Sequence, residues 1–127
     1  MGLAAISGRG VAMDLLVVDD DHDAADALGE LLRQLLGASV TVAHSGFEAV
    51  SIALHASLDA VVTDIEMPGM DGIEMAQEIR WGPRSPRMIV AVSGRADVID
   101  PVQLTVFDNV FAKPVRIDVL VDCLRAA

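Results

Sequence analysis

Four short apolar runs of this sequence end in, or lead directly into, side chains that can do chemistry. In chain order, the residues at these four ends are Asp19, Asp20 and Asp21; Asp64; Ser93 and Gly94; and Lys113. Short apolar runs of this kind are typical of the buried strands of a parallel sheet. The carboxyl ends of parallel strands meet at one edge of the sheet, and ligands bind there. The sequence therefore predicts that these residues form one site.

A cluster of carboxylates is unfavourable unless a cation compensates it, because two like charges 4 Å apart repel by about 4 kcal/mol at intermediate dielectric. Oxygen-only ligands suit Mg²⁺, which keeps coordination positions for a phosphate. A carboxylate such as Asp64 can attack phosphorus and form an acyl phosphate. A metal ion, the Ser93 hydroxyl and the Lys113 ammonium can stabilise the charge that develops, and Gly94 leaves space for the phosphoryl group. These residue types indicate a phosphoryl-accepting site.

The rest of the chain alternates strand and helix patterns in the way that such a site needs. Predicted strands cover residues 14–19, 40–43, 59–64, 88–92 and 110–112. Predicted helices include the leucine-rich stretch ending at Gly37, then 45–56, 73–80 and 116–125, with a turn over 81–86 and a short or irregular helix within 96–108. This alternation predicts an α/β fold with a parallel sheet and helices on both faces.

Composition narrows the class of protein. The 127 residues are enough for one domain with a hydrophobic core, and 53% of them are hydrophobic. The formal net charge of −10 argues against a nucleic-acid-binding surface. No apolar run is long enough to span a membrane, and residues 1–13 are expected to be a flexible lead-in rather than a signal peptide. With a single cysteine, Cys123, an internal disulfide is excluded, and a cytoplasmic location is expected.

Four motifs together resemble the receiver domain of two-component response regulators, including the chemotaxis regulators. They are Val17–Asp21, Asp64–Gly72, Val92–Gly94 and Lys113–Pro114, and the resemblance covers about residues 14–127. It implies a single receiver domain with a flavodoxin-like, doubly wound sheet of five parallel strands. It also implies a phosphoacceptor regulatory domain rather than an enzyme.

The resemblance assigns roles to the acids. It implies that Asp20 and Asp64 ligate Mg²⁺ directly, that Asp19 acts through water, and that the Glu66 carbonyl completes the protein ligands. It further implies that Asp64 takes its phosphoryl group from a sensor histidine kinase or a histidine phosphotransfer protein. The changed state of the domain would then alter binding to an output partner.

The resemblance also assigns roles to residues around the acceptor. Lys113 and Ser93 would contact the phosphoryl oxygens, and the Lys113–Pro114 bond would be cis. Glu66 and Arg95 occupy the positions that flank the path of the hydrolytic water, so we expect them to form a gate that slows dephosphorylation. The sequence departs from the family pattern at Val110, where many receivers carry an aromatic switch residue. The aromatic residue, Phe111, comes one position later in the sequence, and its side chain is expected to point into the core.

Several other interpretations compete with this one. A pseudo-receiver that only binds proteins is disfavoured by the intact acids and Lys113, and an aspartate-nucleophile phosphohydrolase is less well matched. An EF-hand-like spacing begins at Asp19 but has Ala24 where the turn needs glycine. The three histidines show no metal-ligand spacing. The sequence does not identify the cognate kinase or the output partner, and it leaves open a homodimer through the C-terminal half. It also leaves open whether the chain is a stand-alone regulator, a relay component or part of a hybrid kinase.

Overall fold

A computed structural model describes residues 12–127, in which five strands alternate with helices. The strands are β1 (Asp14–Val18), β2 (Ser39–Ala43), β3 (Ala60–Asp64), β4 (Met88–Ser93) and β5 (Asn109–Ala112). The α-helices are α1 (His22–Leu36), α2 (Gly46–His55), α3 (Gly72–Trp81) and α4 (Ile117–Leu124). Most of the expected lead-in, residues 1–11, lies outside the described residues.

All five strands are parallel and form one sheet in the order β2-β1-β3-β4-β5. This is the doubly wound, flavodoxin-like order, in which the chain starts near the middle of the sheet and reverses direction once. The predicted α/β architecture is confirmed. Because β1 and β3 are neighbours, their carboxyl ends lie side by side at the switch point.

Two apolar layers hold the helices on the two faces of the sheet. Alternate residues of β3 point to opposite faces: Val61 packs with α2 and α3, whereas Ala60 and Val62 pack with α1 and α4. Because both faces are covered, the strands read as continuous apolar runs with no alternation. The residues of the predicted site therefore lie where the strands end.

The helix ends follow from local hydrogen bonds. Asp21 caps α1 by accepting from the Ala24 N–H, and Gly37 ends that helix in the left-handed conformation, with φ of 63°. Asp71 and Glu74 form a reciprocal capping box at the start of α3. Among residues 12–127, no helix is both long and apolar enough to cross a membrane.

The segment between β4 and β5 contains only two short 3₁₀ helices, Ala96–Val98 and Gln103–Val106, in agreement with the irregular helix that was expected. The end of this segment that precedes β5 contacts α3 through an ion pair and hydrogen bonds. The Arg80 guanidinium lies 2.6 Å from the Asp108 carboxylate and also donates to the Val106 carbonyl, while the Ile89 N–H donates to Asp108. Partial burial would raise the pKa of Asp108, but these donors outweigh it and lower that pKa.

Candidate functional site

Three carboxylates meet at the carboxyl edge of the sheet. Asp19 and Asp20 follow β1, and Asp64 is the last residue of β3. One carboxylate oxygen from each lies within 4.8 Å of the others. Asp19 and Asp64 have only 14% and 13% of their side chains exposed, whereas Asp20 is exposed to solvent. The group is therefore anchored in the fold and open on one side.

Backbone donors orient two of these carboxylates. The Ile65 N–H donates to Asp64 Oδ1 at 2.8 Å, and the Asp21 N–H donates to Asp19 Oδ1 at 3.0 Å. In both side chains the second oxygen, Oδ2, faces the Lys113 ammonium. Each carboxylate thus has one oxygen held by the chain and one in the shared space of the site.

Lys113 follows β5 and brings the positive charge. Its Nζ lies 3.2 Å from Asp64 Oδ2 and 3.7 Å from Asp19 Oδ2. Partial burial would lower the pKa of Lys113, but the carboxylates of Asp64 and Asp19 outweigh it and raise that pKa. Partial burial, together with the negative charges of Asp64 and Asp20, raises the pKa of Asp19, although the Asp21 N–H and Lys113 act to lower it. The Lys113–Pro114 peptide bond is cis.

Ser93 is the last residue of β4, the strand next to β3. Its side chain is buried, and its Oγ accepts a hydrogen bond from the Arg95 N–H at 3.1 Å. The hydroxyl hydrogen therefore stays free to donate to a ligand oxygen. The Lys113 N–H donates to the Ser93 carbonyl at 2.9 Å, which ties the ends of β4 and β5 together. A Cβ added at Gly94 would meet no atom within 4 Å, so there is open space beside the serine.

Glu66 and Arg95 each follow a residue of the predicted site by two positions, Asp64 and Ser93 respectively. Arg95 Nε is 3.5 Å from Glu66 Oε2, and both side chains are more than half exposed. The two residues are far apart in sequence but come from the loops after β3 and β4, which are neighbouring strands. The pair predicted as a gate is therefore in contact.

The donor set fits a divalent cation. The three carboxylates carry three negative charges and the Lys113 ammonium offsets one of them, so about two remain uncompensated. All of the available ligand atoms are oxygens, which is the chemistry that Mg²⁺ prefers. One side of the cluster is open to solvent, which would leave coordination positions for water or a phosphate.

One contact between the loops after β1 and β2 was not predicted from the sequence. The rings of His22 and His44 are stacked, with centroids 3.8 Å apart, and His44 Nε2 lies 3.3 Å from Asp26. Sequence spacing could not reveal this contact, because it depends on the loops after β1 and β2 lying side by side.

Val110 and Phe111 lie on opposite faces of β5, as expected from their adjacent positions. Val110 packs against the layer formed with α2 and α3, and Phe111 against the layer formed with α1 and α4. The aromatic ring therefore lies on the face opposite to the one that Val110 occupies.

Comparison with known proteins gives a consistent result. The sequence profile of the response regulator receiver domain family matches residues 15–125. A response regulator receiver protein of Anaeromyxobacter sp. is 34% identical over 108 residues, which are 84% of this chain and 45% of that protein. The chain therefore spans less than half the length of that curated relative.

Solved structures are similar over nearly the whole fold. A CheY-like receiver domain from Methylobacillus flagellatus superposes with a TM-score of 0.83 and 27% identity, covering 91% of this chain and 98% of that one. The receiver domain of the Pseudomonas aeruginosa sensor histidine kinase PA1611 has a TM-score of 0.82 and 27% identity, covering 91% and 97% of the two chains. That structure was solved with a magnesium ion coordinated in its active-site cleft.

Proposed function

The chain belongs to the response regulator receiver domain family, and we propose that it works as a phosphoacceptor switch in which Asp64 receives the phosphoryl group. The observation that carries this proposal is the position of Lys113, whose Nζ lies between the Oδ2 atoms of Asp64 and Asp19. An ammonium there can hold a phosphoryl oxygen as soon as Asp64 carries the phosphoryl group.

In the proposed reaction, a carboxylate oxygen of Asp64 attacks the phosphorus of a phosphohistidine. A P–O bond forms, the P–N bond breaks, and the electron pair returns to the imidazole nitrogen of the donor. The Ser93 hydroxyl donates to one phosphoryl oxygen, and the Lys113 ammonium compensates another. The reaction therefore needs no general base, because the nucleophile is already ionised.

The carboxylates of Asp20 and Asp64 would hold Mg²⁺, with Asp19 acting through water and the Glu66 carbonyl as a further ligand. When bound, the ion supplies positive charge to the phosphoryl oxygens. The cluster geometry and its net charge support this assignment, as does the magnesium ion in the similar PA1611 receiver domain. The phosphodonor would be a sensor histidine kinase or a histidine phosphotransfer protein, since the related receiver domains include parts of sensor histidine kinases.

Two other functions fit the site less well. A protein-binding scaffold that is never phosphorylated would not need Lys113 paired with two acids. A phosphohydrolase would need a general acid aimed at the acceptor, and Glu66 is the residue at the matching spacing. The Glu66 carboxylate is instead exposed and paired with Arg95. We therefore assign Glu66 no role in proton transfer.

Acetyl phosphate with Mg²⁺ distinguishes the three functions. A receiver accumulates one acyl phosphate, seen by intact-protein mass spectrometry and lost on treatment with hydroxylamine. A hydrolase releases phosphate continuously, and a scaffold does neither. Asp64→Asn should abolish labelling, because an amide is a poor nucleophile, whereas Asp23→Asn on the first turn of α1 should label normally. Full labelling of Asp64→Asn at another residue would show that the acceptor is wrongly assigned.

A further inference from the structure

An apolar cleft lies between the loop that follows β3 and the segment that joins β4 to β5. Residues within 65–73 line one wall, residues within 98–103 line the other, and the volume is about 610 Å³. Clefts that hold ligands of drug size have volumes of this order, roughly 300–1,000 Å³. Neither 3₁₀ helix of the segment contributes a buried side chain, which leaves the space beside the start of α3 unfilled.

The cleft has an apolar floor and an apolar rim. Ile65, Met67 and Ile73 form the floor, and each is at most 8% exposed because it packs into the layer formed with α2 and α3. On the other wall Val98 is 65% exposed, and the nearby Val102 is 74% exposed. Exposed apolar side chains that adjoin a cleft are typical of binding sites. An occupant of the cleft would remove this apolar surface from water.

The charged residues that line the cleft are all acidic. They are Glu66, Asp71 and Asp100. The sequence around them has the same sign: residues 65–79 contain four acids and residues 96–107 contain two, and neither stretch contains Lys, Arg or His. Both walls of the cleft therefore present negative charge.

The basic residues that flank these two stretches do not reverse the charge. Arg95 precedes the second wall and pairs with Glu66, so it neutralises one of the three acids. Arg80, near the far end of α3, pairs with Asp108. The cleft therefore keeps a net negative charge, which comes from its two other acids.

Backbone donors orient these two acids. The Glu74 N–H donates to Asp71 Oδ1 at 2.8 Å, and the Val102 N–H donates to Asp100 Oδ1 at 2.9 Å. Neither Asp71 nor Asp100 forms an ion pair with any residue in 12–127. Each carboxylate therefore keeps its second oxygen, Oδ2, available to an external cationic group.

The two walls differ in how they are held. The Gly72 N–H donates to the Ile65 carbonyl at 2.7 Å, which fixes the first wall to the end of β3. In the second wall, the backbone hydrogen bonds within residues 96–105 join groups at most four positions apart. Segments held by few buried contacts rearrange at low cost. One wall is therefore preformed, and the other can adjust to an occupant.

A bound metal ion does not account for the acids of the cleft. In the part of the chain that the structure describes, only Asp19, Asp20 and Asp64 bring three carboxylate oxygens within 4.8 Å of one another. The acids of the cleft are farther apart, so they suit separate cationic groups on one larger molecule. Nucleic acids and anionic membranes are disfavoured, because acidic walls repel their phosphates.

We propose that this cleft, formed by Met67, Asp71, Ile73, Val98 and Asp100 and named the Asp71 cleft, binds a basic segment of a partner protein. An apolar side chain of the segment lies between Ile73 and Val98, and Arg or Lys side chains pair with Asp71 and Asp100. Arginine binds carboxylates through two parallel hydrogen bonds. The inference goes beyond the proposed phosphoacceptor function, because binding uses no phosphoryl group.

The test selects short random peptides, displayed on phage, on the folded and unphosphorylated full chain without Mg²⁺. The selected peptides should combine clustered Lys or Arg with an apolar residue, and salt should weaken the binding of synthetic copies. In nuclear magnetic resonance spectra of the isotope-labelled chain, amide shifts should concentrate in residues 65–73 and 98–103. Because the chain is not phosphorylated in this experiment, a failure of labelling by acetyl phosphate would leave its result unchanged.

Variants of the cleft separate local charge from overall charge. Asp71→Asn with Asp100→Asn should weaken binding about tenfold or more by calorimetry, and asparagine can still accept the backbone N–H at both positions. Val98→Ala should also weaken binding, because it removes exposed apolar surface. The matched control is Asp118→Asn with Asp122→Asn on α4, which changes the net charge by the same amount and should leave affinity unchanged.

Selected peptides without a basic excess, or amide shifts that concentrate outside the two walls, would overturn the proposal. Equal weakening in the test and control pairs would also overturn it, because binding would then follow only from the net charge of −10. Shifts that appear without peptide as the concentration of the chain is raised would assign the cleft to self-association instead. Circular dichroism of each variant checks that the fold is intact.

Discussion

Gly72 lies directly against the main chain of Asp64. A Cβ at position 72 would overlap the Asp64 carbonyl oxygen and come within 2.8 Å of the Ile65 α-carbon. The Gly72 N–H also donates to the Ile65 carbonyl at 2.7 Å. The first turn of α3 is therefore packed onto the peptide group that carries the acceptor, and only glycine permits this approach.

Gly72→Ala should lower the free energy of unfolding by about 3 kcal/mol, because backbone atoms must move to admit the methyl group. Urea unfolding followed by circular dichroism measures the change. Gly94→Ala is the matched control, since its Cβ would enter open space, and its stability should equal that of the parent. Equal stability of both variants would show that α3 can shift without cost.

Asp20→Ala should weaken Mg²⁺ binding about tenfold or more, because it removes one of the charges that attract the ion. Isothermal titration calorimetry is the suitable measurement. Tryptophan fluorescence is not, because Trp81 lies at the end of α3 away from Asp64. Asp23→Ala removes a nearby acid from outside the cluster and should bind Mg²⁺ as the parent does. Unchanged affinity in Asp20→Ala would contradict the assigned ligand set.

The Glu66–Arg95 pair should slow loss of phosphate from Asp64. The pair contributes little stability, about 0–1 kcal/mol, but each of its residues follows a site residue by two positions, and the Glu66 charge would repel a hydroxide-like nucleophile that approaches Asp64. Glu66→Ala and Arg95→Ala should each speed dephosphorylation, and the double variant should be faster than either.

The matched control for this experiment is another exposed pair, Arg125 and Asp122 on α4. Replacing both with Ala should not change the rate at which the acyl phosphate decays, measured by mass spectrometry after the donor is removed. Identical decay of the parent and of all three Glu66 and Arg95 variants would refute the gate and leave only the Glu66 carbonyl with a role.

The Arg80–Asp108 pair should make stability depend on pH. The pKa of Asp108 is lower in the folded chain than in the unfolded one, so its contribution is fully present above the unfolded value near 3.9 and is lost as the pH falls through the folded value. Asp108→Asn should cost about 1 kcal/mol at pH 7, a modest value because the carboxylate is partly exposed. The deficit relative to the parent should shrink below about pH 4.

Thermal unfolding of the parent and of Asp108→Asn across this pH range provides the measurement. Asp118→Asn, which disrupts the exposed pair with Arg116, should stay close to the parent at every pH. A deficit in Asp108→Asn that does not change with pH would attribute the loss to hydrogen-bond geometry and not to charge.

The fold was predictable because its strands are buried on both faces. Continuous apolar runs then mark the strands, and each run ends where the first chemically useful residue appears, as at Asp64 and Ser93. The positions of all five strands and of the irregular segment after β4 agree with the sequence-based expectations to within one or two residues. The functional roles of the residues at these ends remain predictions.

Other features depend on distances that sequence spacing does not encode. Asp71-Gly72 reads as a cap and turn signal, but the need for glycine comes from the Asp64 carbonyl on the preceding strand. Helix α3 was expected to end before Trp81 and in fact includes it. The Arg80–Asp108 pair joins residues 28 positions apart, and nothing in either local sequence indicates the contact.

The position of Lys113 has a consequence for covalent labelling. It is the only lysine in the chain, so an amine-directed reagent meets one side-chain target besides the N-terminal amine. That target forms ion pairs with Asp64 and Asp19, which raise the pKa of the Lys113 ammonium and so keep it protonated and slow to react. A cation that draws the carboxylates away would weaken these pairs and speed acylation of the amine. The labelling rate of a single side chain therefore reports occupancy of the entire acidic cluster, without a spectroscopic probe and without any substitution.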